Sequence, residues 1–210
     1  MTVVGVILAA GGASRFGGAK QLAQVDGKPL IQHAVDAASA VPELDRVIVV
    51  LGCERRAVTE ALAAGRAELV GCPAWREGMA ASLRRGLDAA GDADWTVVML
   101  ADQPFVTAGA IARVVRATID RGRPYAAVRG VWRHTPGHPV ALSRALGAEA
   151  RLLRGDEGAR SLLRASAVLE IDVSDLGDPV DVNTREDLAR LGPRPVSDGA
   201  CHDRAGYLVR

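Results

Sequence analysis

Aromatic residues make up only 3% of this 210-residue sequence. The apolar mass is Ala, Val and Leu, which suits a layered α/β protein whose helices lie close on a sheet of small side chains. Cysteine is scarce as well. Cys53, Cys72 and Cys201 are widely spaced and form no C-x-x-C pair, so they read as reduced thiols and not as a disulfide framework or a zinc site. An excess of one charge is also missing. Lys and Arg total 26 against 25 Asp and Glu, a formal net charge of +1. No global basic field can attract a nucleic acid, and any anion must be bound locally. No apolar run reaches the roughly 20 residues that span a bilayer. The opening "MTVVGVILAA" lacks a basic leader and is too soon bounded by glycine for a signal peptide. The expectation is a cytoplasmic protein with no membrane and no nucleic-acid partner.

What is present is a regular alternation. The sequence is 49% hydrophobic, enough for a sizeable core in one domain. "VVGVILAA", "RVIVVLG", "AELVGC" and "WTVVMLA" read as strands. Between them, "PLIQHAVDAASAV" reads as a helix with Pro29 in its first turn and "ERRAVTEALAAG" as a helix closed by Gly65. "GMAASLRRGLDAAG" is a third, and "TAGAIARVVRATIDRG" a fourth, capped by Thr107 and stopped by Gly122. Continuous apolar strands joined by crossover helices predict a doubly wound, Rossmann-like three-layer sandwich with a mostly parallel sheet. The later part is less regular. "YAAVRGVW" and "VLEIDV" read as strands, and the polar stretch between them reads as excursions over one side of the sheet. "TREDLARL" predicts a last short helix with Thr184 and Asp187 in capping-box spacing. Residues 1–192 are expected to form the domain and residues 193–210 a docked or frayed tail.

In such a sheet, ligands sit beyond the carboxyl ends of the strands, and that rule ranks the motifs. The loop from Gly11 to Lys20 comes first. It lacks the G-x-G-x-x-G spacing of the dinucleotide fingerprint, and Lys20 stands between Ala19 and Gln21 where a P-loop would need Gly before it and Ser or Thr after. What remains is a glycine loop whose backbone N–H groups can ring an anion, with Arg15 and Lys20 as fixed cations suited to phosphate oxygens. A solvated surface turn is the competing account. In "TVVMLADQP", an apolar strand delivers Asp102 to the cleft edge, the usual place for a metal ligand, although a turn-capping Asp would look similar. Asp181 and Asn183 in "DPVDVNTREDL" stand at i and i+2 and can complete a metal shell or merely shape the entry to the last helix.

In "GCPAWREGMAASLRRGL", Gly78 and Ser82 lie at a helix start, where free N–H groups favour anions and base edges, while Trp75 and Met79 read as packing residues. His134 and His138 are four apart, but Pro136 and Gly137 break the helix that would set them as a metal pair. The "PGHP" turn then shapes the wall of a second substrate site.

Taken in order, these blocks resemble the MobA-like nucleotidyltransferases. "LAAGGASRFGGAK" is similar to that family's L-A-A-G-x-x-x-R-[MF]-G-x-x-K signature, and "GCPAWREGMAASLRRGL", "ADQP", "GHPV", "RGDEGAR" and "DVNTREDL" look like its further blocks, spanning about residues 3–192. The subgroup most resembled is the molybdenum cofactor cytidylyltransferases. Two positions depart from the pattern: Cys72 stands where the family often has Asn, and Asn183 where it often has Asp, which removes a charge from the metal set.

The resemblance implies a nucleotide-diphospho-sugar transferase-like fold with a late antiparallel strand, and transfer of CMP from CTP to molybdopterin with release of pyrophosphate. It implies that Arg15, Lys20 and Asp102 are catalytic and that Mg²⁺ is held by Asp102 with Asp181 or Asn183. The nucleotide would be framed by Leu8, Ala9, Ala10, Gly11 and Gly12 with Gly78 and Ser82, and the acceptor by His138, Asp156 and Arg160. A molybdoenzyme or its chaperone would take the product. Three alternatives stay open: guanylyl transfer or a sugar or alditol phosphate acceptor; an NAD(P)H-dependent oxidoreductase related to nicotine blue oxidoreductase; and a nucleotide-sensing or cofactor-delivery module without turnover.

Overall fold

The computed structural model describes residues 1–12, 16–119 and 125–191. Arg15, Gly122, Cys201 and the predicted tail therefore lie outside the described residues. In chain order the elements are β1 (Val3–Ala9), β2 (Gln24–Val25), β3 (Lys28–Pro29), α1 (Leu30–Ser39), β4 (Arg46–Leu51), α2 (Arg55–Ala61) and β5 (Ala67–Gly71). There follow α3 (Met79–Ala90), β6 (Trp95–Leu100), α4 (Ala108–Ile119), β7 (Ala127–Trp132), β8 (Thr135–Ser143), α5 (Arg144–Ala150), α6 (Arg160–Ala165), β9 (Val168–Asp172) and α7 (Arg185–Arg190). Single 3₁₀ turns occupy Lys20–Leu22 and Trp75–Glu77. No described helix is long and apolar enough to cross a membrane.

Seven strands form one sheet in the order β5-β4-β1-β6-β8-β7-β9. β1 pairs in parallel with β4 on one side and β6 on the other, and β4 pairs in parallel with β5. Alternate residues of β1 enter different cores. Val3 and Ile7 meet α1 and α4 through Ile31 and Ile111, whereas Val4 and Val6 meet α3 through Ala81 and Ala90. Burial of both faces is why these strands read as unbroken apolar runs. The chain winds away from β1 toward β5 and then crosses back to β6, so the strand order reverses between β1 and β6. Their carboxyl ends open the crevice in which doubly wound folds bind ligands.

The predicted late antiparallel strand is β8, and it falls where the sequence suggested only loop excursions. Thr135–Ser143 inserts between β6 and β7, antiparallel to both. Its two prolines hid it. Pro136 lies near the strand start opposite Val131, and the ladder then shifts register between Arg129 and Val131, so that Val140 faces Arg129 and Pro139 has no ladder bond to supply. Proline is tolerated at such bulges, and bulges re-aim side chains near functional sites. Here the bulge carries His138.

The caps behave as their residue types dictate. Thr184 accepts from the Asp187 amide while Asp187 bonds back to the cap, a complete capping box. The Thr107 hydroxyl accepts from the Ala110 amide at 3.3 Å. α2 stops short of Gly65 at Ala61. The Gln32 side chain accepts from the Ala63 amide and donates to the Ala63 carbonyl, each at 3.0 Å, and holds the chain extended there.

Candidate functional site

Beyond the ends of β1 and β6 lies a cavity of about 640 Å³. Leu8 to Gly12 form its floor, with Lys20, Asp102, Gly78 and Ser82 around it, so every described residue predicted to frame a nucleotide lines this one space. Two features beyond the predicted set shape it. Gln21 is buried, and its amide donates to the carbonyls of Ala9 at 2.9 Å and Gly11 at 3.0 Å. It thereby pins the peptide planes where β1 becomes loop. The ring of Trp75 lies so close over Gly12 that a Cβ there would meet it at 2.6 Å. Trp75 packs, as its residue type suggested, but it packs as a wall of the cavity.

At the mouth, three residues far apart in sequence converge. The Lys20 ammonium sits 2.8 Å from Asp102 Oδ2 and 3.3 Å from Asn183 Oδ1. The segment carrying Asn183 is tied to the end of β6 by the Val182 amide, which donates to the Asp102 carbonyl at 2.9 Å. Asp181 finds a different partner: its Oδ1 accepts from the Gln103 amide at 2.9 Å, and that amide also donates to the Pro179 carbonyl at 3.3 Å. Partial loss of water around the Asp181 carboxyl raises its pKa from the ordinary value, and the Asp102 charge pushes the same way.

These oxygens suit a hard divalent cation. A positively charged group, the Lys20 ammonium, already rests on the Asp102 and Asn183 oxygens, and the carboxylates of Asp102 and Asp181 repel one another. Among the described residues no three His, Cys, Asp or Glu side chains gather at one point. The oxygens gathered at the Lys20 ammonium are one carboxylate, Asp102, and one amide, Asn183, while Asp181 is turned to Gln103. One or two carboxylates suffice for Mg²⁺ when phosphate oxygens and water complete the shell.

A second cavity of about 590 Å³ adjoins the first and shares Leu8, Met79, Leu100 and Asp156 with it. It takes in His138, Asp156 and Arg160, the three predicted acceptor residues, together with Asp181 and Gln103. Packing around the His138 ring pushes its pKa down to about 4 against the opposing pull of the Asp102 charge, so the imidazole is neutral at pH 7. Two further cations, Arg129 and Arg164, line the same space. Arg129 is steadied by Glu170 across the β7–β9 pair, its Nε standing 3.1 Å from Oε1.

The partition between the cavities depends on Gly78. Its φ is +107°, and a Cβ there would strike the backbone of Gly155 and meet Asp156 Oδ1 at 2.6 Å. The Ala80 amide donates to the Gly155 carbonyl at 3.0 Å, and Arg84 donates to the Leu153 carbonyl at 2.7 Å. The loop before α6 is thus latched onto the start of α3, with Asp156 at the seam.

Sequence reasoning missed Gln21 and Gln103, whose bonds run to groups that no local pattern links to them. It also missed Arg129 and Arg164, which look like ordinary surface charges until β8 is placed.

With this geometry in hand, comparisons with known proteins are informative. The MobA-like NTP transferase domain matches residues 5–171. Nicotine blue oxidoreductase of Paenarthrobacter nicotinovorans is 32% identical over 196 residues, covering 90% of this chain and 96% of its own. The 2-C-methyl-D-erythritol 4-phosphate cytidylyltransferase of Rubrobacter xylanophilus is 34% identical over 116 residues, 54% of this chain and 50% of that protein. The crystal structure of a manganese complex of Rv0371C from Mycobacterium tuberculosis H37Rv superposes with a TM-score of 0.76 at 29% identity, covering 91% of this chain and 98% of the other.

Proposed function

The chain belongs to the MobA-like NTP transferase family, and from that premise we propose that it transfers CMP from CTP to the terminal phosphate of molybdopterin, releasing pyrophosphate. One observation carries the reading: the Lys20–Asp102–Asn183 cluster lies at the mouth of the first cavity, which shares a wall with the second. In such a reaction an acceptor phosphate oxygen bonds to the α-phosphorus as the bond to the pyrophosphate oxygen breaks. Negative charge builds on the leaving group. No covalent intermediate with the protein is needed, so positioning and charge neutralisation are what the residues must supply.

Lys20, with Arg15, would hold the triphosphate and the departing pyrophosphate. Leu8 to Gly12, Gly78 and Ser82 would frame base and ribose, and His138, Asp156 and Arg160 the acceptor. Asp102 and Asn183 are the residues that would hold Mg²⁺, and a cation there would supply a template and Lewis acid for phosphate oxygens. The Mycobacterium tuberculosis neighbour was crystallised as a manganese complex, which supports a divalent ion in the proposed reaction. Choice of CTP rests on the double alanine of "LAAG" and on the similarity to a cytidylyltransferase over half the chain. The product would pass to a molybdoenzyme or its chaperone.

The test is a thermal-shift series with CTP, GTP, ATP and UTP plus Mg²⁺, followed by pyrophosphate release in the presence of molybdopterin. A ligand that binds only the native state raises the melting point, and CTP should do so most. No shift with any nucleotide would overturn the reading. A larger shift with GTP would leave nucleotidyl transfer standing and move the base.

The near full-length similarity to nicotine blue oxidoreductase favours a second reading, NAD(P)H-dependent reduction of a pigment. The first loop lacks the dinucleotide spacing of glycines. Consumption of NAD(P)H on addition of nicotine blue would establish this reading instead.

A further inference from the structure

Asp181 and Asn183 stand two residues apart, where an extended chain would aim both at one target, yet they serve different neighbours. The Asn183 and Thr184 amides both donate to Asp187 Oδ2, at 3.0 and 2.8 Å, and this bends the segment into α7. Asn183 reaches Lys20 and Asp102 at the mouth of the first cavity. Asp181 lines the second cavity and is exposed to it, held from behind by Gln103. Gln103 is itself buried and anchored to the Pro179 carbonyl, so its amide has little freedom to follow a moving carboxylate.

We propose that Asp181 serves the acceptor: its carboxylate receives a pair of adjacent N–H groups from a flat heterocycle, and Gln103 is the positioning residue that aims it. The inference rests on the reading above that the second cavity holds the acceptor. A carboxylate accepts hydrogen bonds and donates none, and it repels phosphate. What fits Asp181 is a donor edge, and the 2-amino-4-oxopyrimidine edge of a pterin offers an amine and a ring N–H side by side. Leu83, Leu100 and Val140 give the cavity an apolar surface against which such a ring can lie. Arg129, Arg160 and Arg164 supply the opposite charge around the same space for anionic groups of the acceptor.

The experiment is a fluorescence titration with 6-hydroxymethylpterin and with the lumazine that carries oxygen in place of its exocyclic amine. Both are added to the full chain holding Mn²⁺ and a non-hydrolysable CTP analogue. The wild-type protein should bind the pterin about tenfold or more tightly than the lumazine, the span that charge-assisted hydrogen bonds give. Asp181→Asn, nearly the same shape, should lose that preference and about 10- to 100-fold of pterin affinity. Gln103→Met should lose a smaller part of both. The CTP analogue and Mn²⁺, titrated alone by calorimetry, should bind Asp181→Asn within about twofold of wild type, a difference well below 1 kcal/mol. Asp102→Asn should lose them.

If Asp181→Asn instead loses Mn²⁺ and nucleotide as Asp102→Asn does, Asp181 is a metal ligand and the inference falls. It falls as well if wild-type protein binds the nucleotide but does not distinguish the two pteridines. If the pterin is distinguished while no nucleotide binds, the acceptor role of Asp181 stands and nucleotidyl transfer is what fails.

Discussion

The two cavities share a wall and little else. The first is made at the ends of parallel strands, where backbone from Leu8 to Gly12 faces the space and the charged residues Lys20, Arg76, Asp102 and Asp156 stand around it. The second is made where the chain turns antiparallel, and it is lined by Arg129 of β7, His138 of β8, Asp156 just before α6, Arg160 at the start of α6, and Asp181. A parallel sheet edge offers the same N–H groups and glycines whatever the protein, which suits a nucleotide shared by many enzymes. A surface of charged side chains is particular to one partner. Substrate choice should therefore reside in the second region and the common chemistry in the first.

The largest break in that division is Asp102→Asn. Loss of a positioned charge contact in the transition state costs on the order of 10² to 10³ in turnover. Pyrophosphate release should fall by about that factor while the melting curve stays near wild type, since Asp102 is a rim residue with a quarter of its side chain exposed. Lys20→Ala should lower turnover and nucleotide affinity together and leave acceptor affinity unchanged. Equal damage to both affinities would show that the cluster belongs to neither side alone.

Gly78→Ala should harm both regions at once. A residue with a side chain is strained at a φ of +107°, and such strain costs of order 1–3 kcal/mol. The new Cβ would also push the Gly155 loop off the start of α3. A lower melting temperature with raised KM for nucleotide and acceptor alike is the expected outcome. A change confined to one KM would mean that the loop is not a shared wall.

The first region was the legible one, and the reason is physical. Buried parallel strands must be apolar throughout, so β1, β4 and β6 announce themselves, and the loop after β1 carries its glycines and Lys20 at fixed offsets. Thr184 and Asp187 were readable because a capping box is local. β8 was not, because Pro136, Gly137 and Pro139 contradict strand propensity and are allowed only by a bulge that depends on β7. Gln103 escaped for a related reason: it bonds a carboxylate 78 residues away. Lys20 and Asn183 were each singled out, but their meeting across 163 residues was not.

Gln21 tests the first region through the backbone that it holds. Gln21→Leu keeps the volume and leaves the Ala9 and Gly11 carbonyls without their donor. A buried carbonyl such as that of Ala9, stripped of its partner, costs about 1–3 kcal/mol, and part of that will appear as a looser loop. Nucleotide KM should rise about tenfold, equivalent to 1.4 kcal/mol, with acceptor KM unchanged. An unaltered nucleotide KM would show that the loop holds its shape on its own.

The smallest effect belongs to the second region and shows in its response to acid. The His138 pKa is about 4 in the folded protein against an ordinary 6.5, because burial disfavours the charged ring. On unfolding the ring takes up a proton that the native state refuses, so stability is present above pH 6.5 and is lost as pH falls toward 4. One pH unit below the ordinary value, near pH 5.5, the loss amounts to about 1 kcal/mol. His138→Gln has no such proton to take up. Carboxylates titrate in both chains, so the readout is a difference: between pH 7.5 and 5.5 the wild-type melting temperature should fall further than that of the variant. Parallel falls would mean that the imidazole is protonated in the native state at pH 5.5, and the second cavity would then carry one more positive charge than its geometry implies.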